Sequence, residues 1–149
     1  MASESLNVLI VEDHFLIAKQ LEIILVEGGH VFVGAARTRP KAKVLAEETR
    51  PDIALVDVNL ADGPSGLDVA KDIAAVSGAQ ILFVTANRRR IPPGYGHAIG
   101  IVEKPFTRSA ILATLQYLAQ RIGRRLAKDM DAAKPPELEL SPRYAALWQ

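Results

Sequence analysis

The chain has no cysteine. Disulfides, thiolate metal sites and thiol nucleophiles are therefore excluded. It also lacks an excess of either charge, with 18 Lys and Arg against 17 Asp and Glu. That balance gives no reason to expect a polyanion, so neither nucleic acid nor an anionic membrane is an expected partner. No apolar run approaches the ~20 residues that a bilayer span needs. The opening Met-Ala-Ser-Glu-Ser has neither the positive start nor the apolar run of a secretory signal. Together these absences predict a cytoplasmic protein. What is present is a hydrophobic content of 49% over 149 residues. That is enough for one domain with a real core and a short appendage.

Apolar runs of strand character alternate with longer stretches of helical period. Residues 6–11 (Leu-Asn-Val-Leu-Ile-Val) read as a buried strand. Leu16, Ile17, Leu21, Ile24 and Leu25 predict a helix over Phe15–Glu27, stopped by Gly28-Gly29. Val31–Ala36 is a second strand, and 41–49 a second helix introduced by Pro40. A third strand over 52–56 ends at Asp57, followed by a turn over 61–66 and a helix over 67–76. Residues 80–84 form a fourth strand and 99–103 a fifth. Between these two, 87–98 holds three arginines and Pro92-Pro93-Gly94-Tyr95-Gly96. Proline removes a helix donor and glycine weakens a helix, so this segment predicts a loop. Thr107 or Ser109 is placed to cap a last helix carrying Ile111, Leu112, Leu115 and Leu118, which is expected to run past Gly123 to about Ala133. Pro135-Pro136 ends it, and 137–149 is a tail of unassigned order. The division is a main domain over 1–126 and an extension over 127–149 without an output domain.

Five strands alternating with helices imply right-handed crossovers and a parallel sheet, an α/β fold. Ligands of such sheets sit outside the carboxyl ends of the strands. Those ends carry Glu12-Asp13, Asp57, Thr85 and Lys104. Three carboxylates in one shallow pocket repel each other, and a hard divalent cation such as Mg²⁺ is the simplest neutraliser. Asp13 and Asp57 are the expected direct ligands, with the backbone carbonyl of Asn59 as a third and Glu12 acting through a water. Lys104 pairs with the carboxylates at rest and with phosphoryl oxygens afterwards. Thr85 offers a hydroxyl to the same group. Asp57 is the candidate nucleophile, because a carboxylate can form an acyl phosphate. Taken singly, each residue has a plainer explanation: an Asp at a strand end forms turns, and Glu12-Asp13 can cap a helix. The four ends together carry the argument.

Val-Leu-Ile-Val-Glu-Asp at 8–13, Leu-Val-Asp-Val-Asn-Leu at 55–60, Val-Thr-Ala at 84–86 and Glu-Lys-Pro-Phe at 103–106 resemble the landmarks of response-regulator receiver domains. The resemblance covers residues 6–123 in order and spacing. It implies a flavodoxin-like, doubly wound, five-stranded parallel sheet of order 2-1-3-4-5. It implies that Asp57 takes a phosphoryl group from a histidine kinase or a histidine phosphotransfer protein. Glu12 and Asp13 would be the acidic pair, Thr85 the switch hydroxyl and Lys104 the paired lysine, with a cis Lys104–Pro105 bond.

The pattern departs from the family in three places. The aromatic residue usual three positions before the lysine is Ile101 here. The fourth helix is expected to be shortened or replaced by the 87–98 loop, as in an alphaproteobacterial subgroup named for a Phe-Ala-Thr-Gly motif, which Phe83-Val84-Thr85-Ala86 matches in part. The loop after Asp57, with Gly63-Pro64-Ser65-Gly66, is slightly long. Arg88-Arg89-Arg90 reads as a solvated loop, His14 as a surface residue, and Arg121, Arg124 and Arg125 as complements to a helix C-terminus.

The leading functional expectation is a stand-alone phosphorylation switch that binds a downstream protein, self-associates or passes the phosphoryl group on. Too little chain follows Lys104-Pro105 for a helix-turn-helix output domain. A phosphohydrolase with an Asp nucleophile is the second reading, against which no acid lies two residues after Asp57. A flavin-binding domain is the third, and it lacks a phosphate-cradling loop after the first strand. Fold alone does not choose among them.

Overall fold

The computed structural model describes residues 5–122 and 132–148. In chain order the elements are β1 (Asn7–Val11), α1 (Phe15–Glu27), β2 (Val31–Ala36), α2 (Arg39–Thr49), β3 (Ile53–Val56), α3 (Gly66–Ser77), β4 (Gln80–Thr85), β5 (Ala98–Glu103), α4 (Arg108–Ala119), β6 (Leu138–Leu140) and α5 (Pro142–Leu147). The sheet order is β2-β1-β3-β4-β5-β6. The first five strands pair in parallel and β6 joins β5 antiparallel. The expected doubly wound order is therefore present, with one strand more than the five expected.

The strands read as continuous apolar runs because both faces of the sheet are covered. Successive side chains point to opposite faces. Leu9, Val11, Ala54, Val56, Ile81 and Phe83 pack with Ala42, Ala46, Val69 and Ile73 of α2 and α3. Val8, Ile10, Ile53, Leu55, Leu82 and Val84 pack on the other side with Leu21, Ile24, Leu25, Ile111, Leu115 and Leu118 of α1 and α4. Among the described residues no helix is long and apolar enough to cross a membrane.

The bounds of α1 and β2 coincide with expectation. Helix α2 begins two residues before the expected Lys41, after Thr38 and with Pro40 in its first turn. Thr107, not Ser109, caps α4: its hydroxyl accepts from the Ala110 amide at 3.0 Å. That helix stops at Ala119 rather than running past Gly123. Residues 123–131, with Arg124, Arg125 and the boundary expected at 126, lie outside the described residues. Arg121 does complement the helix end, donating to the Tyr117 carbonyl at 3.1 Å while its guanidinium stacks 3.7 Å from the Tyr117 ring centroid.

The segment 87–98 holds no α-helix, only a single 3₁₀ turn over Arg88–Arg90. Tyr95 and Gly96 both take positive φ, at 62° and 57°. The loop is nonetheless anchored, because Ile91 and Tyr95 are buried in the core.

Candidate functional site

Parallel register brings the strand ends together. Val11 lies opposite Val56, and the Asp57 amide donates to the Val11 carbonyl at 2.9 Å, so Glu12 and Asp57 emerge side by side. Thr85 lies opposite Glu103, and the Lys104 amide donates to the Thr85 carbonyl at 3.0 Å. The Lys104–Pro105 bond is cis, as the resemblance implies.

Carboxylate oxygens of Glu12, Asp13 and Asp57 lie within 4.8 Å of one another. Glu12 and Asp57 are buried and Asp13 is half-buried. Lys104 reaches in from β5, its Nζ donating to Glu12 Oε1 at 2.6 Å and to Asp57 Oδ2 at 2.8 Å. Glu12 Oε2 accepts the His14 amide at 3.0 Å. Asp57 Oδ1 faces the Asn59 amide at 3.4 Å. Burial pushes the Glu12 carboxyl above its ordinary range, against the opposing hydrogen bond from Lys104. Burial also works to lower the Lys104 ammonium, but its bonds to Asp57 and Glu12 outweigh that and hold it above its ordinary value. Three close hard oxygen donors, neutralised by only one ammonium, suit a hard divalent cation that keeps some of its waters.

Thr85 occupies the expected strand end but is fully buried, and its hydroxyl accepts the Asn87 amide at 3.1 Å. Among the described residues that hydroxyl makes no hydrogen bond to Asp57 or to the Lys104 side chain. Four of the expected groups, Glu12, Asp13, Asp57 and Lys104, thus form one cluster, with Asn59 at its edge and Thr85 turned toward the 87–98 loop.

Sequence reasoning missed several contributors. A Cβ on Gly66 would stand 2.1 Å from the Asp57 carbonyl oxygen and 2.5 Å from Val58 Cα. Only glycine lets the start of α3 lie against the backbone that carries Asp57. Arg37 donates through Nε to the Asp13 carbonyl at 3.3 Å, placing a second cation on the rim. Ile101 is buried, and Tyr95 enters the same apolar cluster from the preceding loop, so a ring is supplied there from a different position. Arg88 is not merely a solvated loop residue: it donates to Glu139 at 3.0 Å and to the Tyr95 hydroxyl at 3.2 Å. His14 is exposed, as expected.

A family model described as the response regulator receiver domain matches residues 8–116. The phyllosphere-induced regulator PhyR of Methylorubrum extorquens is 39% identical over 132 residues, covering 85% of this chain and 49% of that protein. The transcriptional regulatory protein PdtaR of Mycobacterium tuberculosis is 32% identical over 118 residues, covering 77% of this chain and 57% of that one. The chain thus spans about half the length of these curated relatives. The solution structure of the Erythrobacter litoralis PhyR receiver domain superposes with a TM-score of 0.72 at 34% identity, covering 80% of this chain and 94% of that one. Bartonella quintana PhyR complexed with the anti-sigma factor NepR matches with a TM-score of 0.51 at 38% identity, over 53% of this chain and 33% of that one.

Proposed function

The chain belongs to the response regulator receiver family, and from that membership we propose that it is a switch phosphorylated on Asp57. The observation that carries this reading is the Lys104 ammonium bridging Asp57 and Glu12 beside a third acid, Asp13. The phosphodonor is a histidine kinase or a histidine phosphotransfer protein. An oxygen of Asp57 attacks phosphorus; the bond from phosphorus to the imidazole nitrogen breaks, and its electron pair leaves with the imidazole. The product is an acyl phosphate on Asp57.

Asp13, Asp57 and the Asn59 backbone carbonyl would hold Mg²⁺, with Glu12 acting through a water. The cation would supply electrostatic stabilisation of the charge on the transferring group. Lys104 exchanges its carboxylate contacts for phosphoryl oxygens, a charge-assisted bond of the strong kind. Thr85 joins by turning its hydroxyl from the Asn87 amide toward the new anion. Phosphorylation therefore releases the Asn87 amide and with it the start of the 87–98 loop.

Output is a protein interaction, either with a downstream partner or with a second copy. The NepR complex of the Bartonella quintana relative supports a protein partner. Residues 1–126 are the receiver and 127–149 an extension of it, and the site of action is the cytoplasm. The chain is a switch and not an enzyme with an external substrate. The test is phosphotransfer: a phosphorylated histidine kinase or phosphotransfer protein is mixed with the chain in Mg²⁺, and label is followed from donor to acceptor. Transfer within minutes is expected. Sustained hydrolysis of an external phosphate ester, or silence toward every histidine donor of the source organism, would contradict the reading.

A further inference from the structure

The parallel part of the sheet ends at β5, and the chain's own C-terminal segment covers that edge. Leu138 lies opposite Val102, Glu139 opposite Ile101 and Leu140 opposite Gly100. The Ser141 amide extends the pairing to the Ile99 carbonyl at 2.8 Å. A three-residue strand offers few ladder bonds and needs other support. Leu138 supplies some, fully buried in the cluster that holds Val102, Tyr117 and Leu118. Glu139 supplies the rest: it accepts from Arg88 Nε at 3.0 Å and from the Tyr95 hydroxyl, while Arg88 Nη2 also donates to Tyr95. Tyr95 is only 5% exposed, so this phenol is fixed in place by the core. Gly100 completes the fit, because a Cβ there would stand 2.8 Å from the Glu139 carbonyl oxygen. The β5 edge is therefore shaped for close approach of a strand, with a guanidinium and a phenol set to take one carboxylate. Glu139, Arg88 and Tyr95 make none of the contacts of the carboxylate pocket.

We propose that the β5 edge is a docking groove for an extended acidic strand of a partner protein, apolar–acidic–apolar in pattern, and that Leu138–Leu140 is its resting occupant. Strand addition to an open edge gains affinity from main-chain bonds and specificity from alternate side chains. Here the apolar position reads Leu138 and the acidic position reads Glu139. Tethering gives the chain's own strand a high effective concentration, so a partner strand enters where the tail loosens.

The test uses the full-length chain and its Glu139→Arg variant, each titrated with a fluorescently tagged peptide of residues 134–148. The Glu139 side chain is 45% exposed, so the variant keeps its core. Trp148, the chain's one tryptophan, packs 4.9 Å from the Tyr144 ring and 6.2 Å from the Tyr117 ring and reports detachment of the tail by its emission. The peptide is expected to bind Glu139→Arg up to about fivefold more tightly than the wild type, the scale of one latch of this kind. A peptide bearing the same Glu139→Arg change should lose that gain, as should the protein when Gly100→Ala is added. Equal binding to both proteins, or binding to neither, would overturn the proposal. So would a concentration-dependent dimer of Glu139→Arg formed without peptide, which would assign the groove to a second copy.

Discussion

Lys104 Nζ lies 2.8 Å from Asp57 Oδ2, joining the ends of β5 and β3 in an ion pair whose lysine side chain is only 13% exposed. The same nitrogen holds Glu12, so one ammonium neutralises two carboxylates that a cation would otherwise claim.

Replacing Lys104 by Met should thus act in two opposite directions. Without divalent ions the protein loses about 1–3 kcal/mol of unfolding free energy, because two carboxylates stay together in a largely buried pocket without their cation. Mg²⁺ should bind several-fold more tightly, because its ligands no longer have an internal competitor. Calorimetric titration of both proteins checks this, and unchanged or weaker Mg²⁺ affinity in Lys104→Met would contradict it.

Gly66→Ala should damage the site without touching a functional group. The new methyl would meet the backbone of Asp57 and Val58, which cannot yield as a flexible side chain can. A loss of about 2–4 kcal/mol is expected from overpacking against rigid backbone. Denaturant unfolding measures it, and chemical-shift changes centred on Asp57–Asn59 would locate it. A variant as stable as the wild type would show that the α3 start shifts freely.

Burial holds the His30 imidazole below its ordinary value, and its Nδ1 accepts the Leu6 amide at 3.1 Å. The unfolded chain therefore takes up a proton at a pH where the folded chain does not. The stability from neutral His30 is fully present above the unfolded pKa of about 6.5 and is lost as the pH falls through the folded value, with a slope of at most about 1.4 kcal/mol per pH unit. Asn at position 30 keeps an acceptor but does not titrate, so His30→Asn should flatten stability between pH 7 and pH 5. Parallel pH profiles for the two proteins would rule this out.

Much of this was legible in the sequence for identifiable reasons. β1 and β3 are buried on both faces, so Val8–Val11 and Ile53–Val56 stand out as uninterrupted apolar runs. The strand-end rule then points to Glu12, Asp13, Asp57 and Lys104 from the sequence alone. What escaped depends on three-dimensional detail without a periodic signal. Leu138–Leu140 is too short to show alternation, and its pairing depends on Gly100 about forty residues earlier. Tyr95 lies in a proline- and glycine-rich stretch whose composition marks a loop and hides that its ring is buried in the same apolar cluster as Ile101. The orientation of the Thr85 hydroxyl is set by the Asn87 amide, which sequence spacing does not fix.

The central claim is that Asp57 takes the phosphoryl group with the help of a divalent cation. It is tested most directly by intact-mass analysis after incubation with acetyl phosphate, comparing the wild type with Asp57→Asn, each in Mg²⁺ and in excess chelator. The account predicts one added phosphoryl group on the wild type in Mg²⁺, and none on Asp57→Asn or in chelator. Phosphorylation of Asp57→Asn at the wild-type level, or undiminished labelling in chelator, would contradict it.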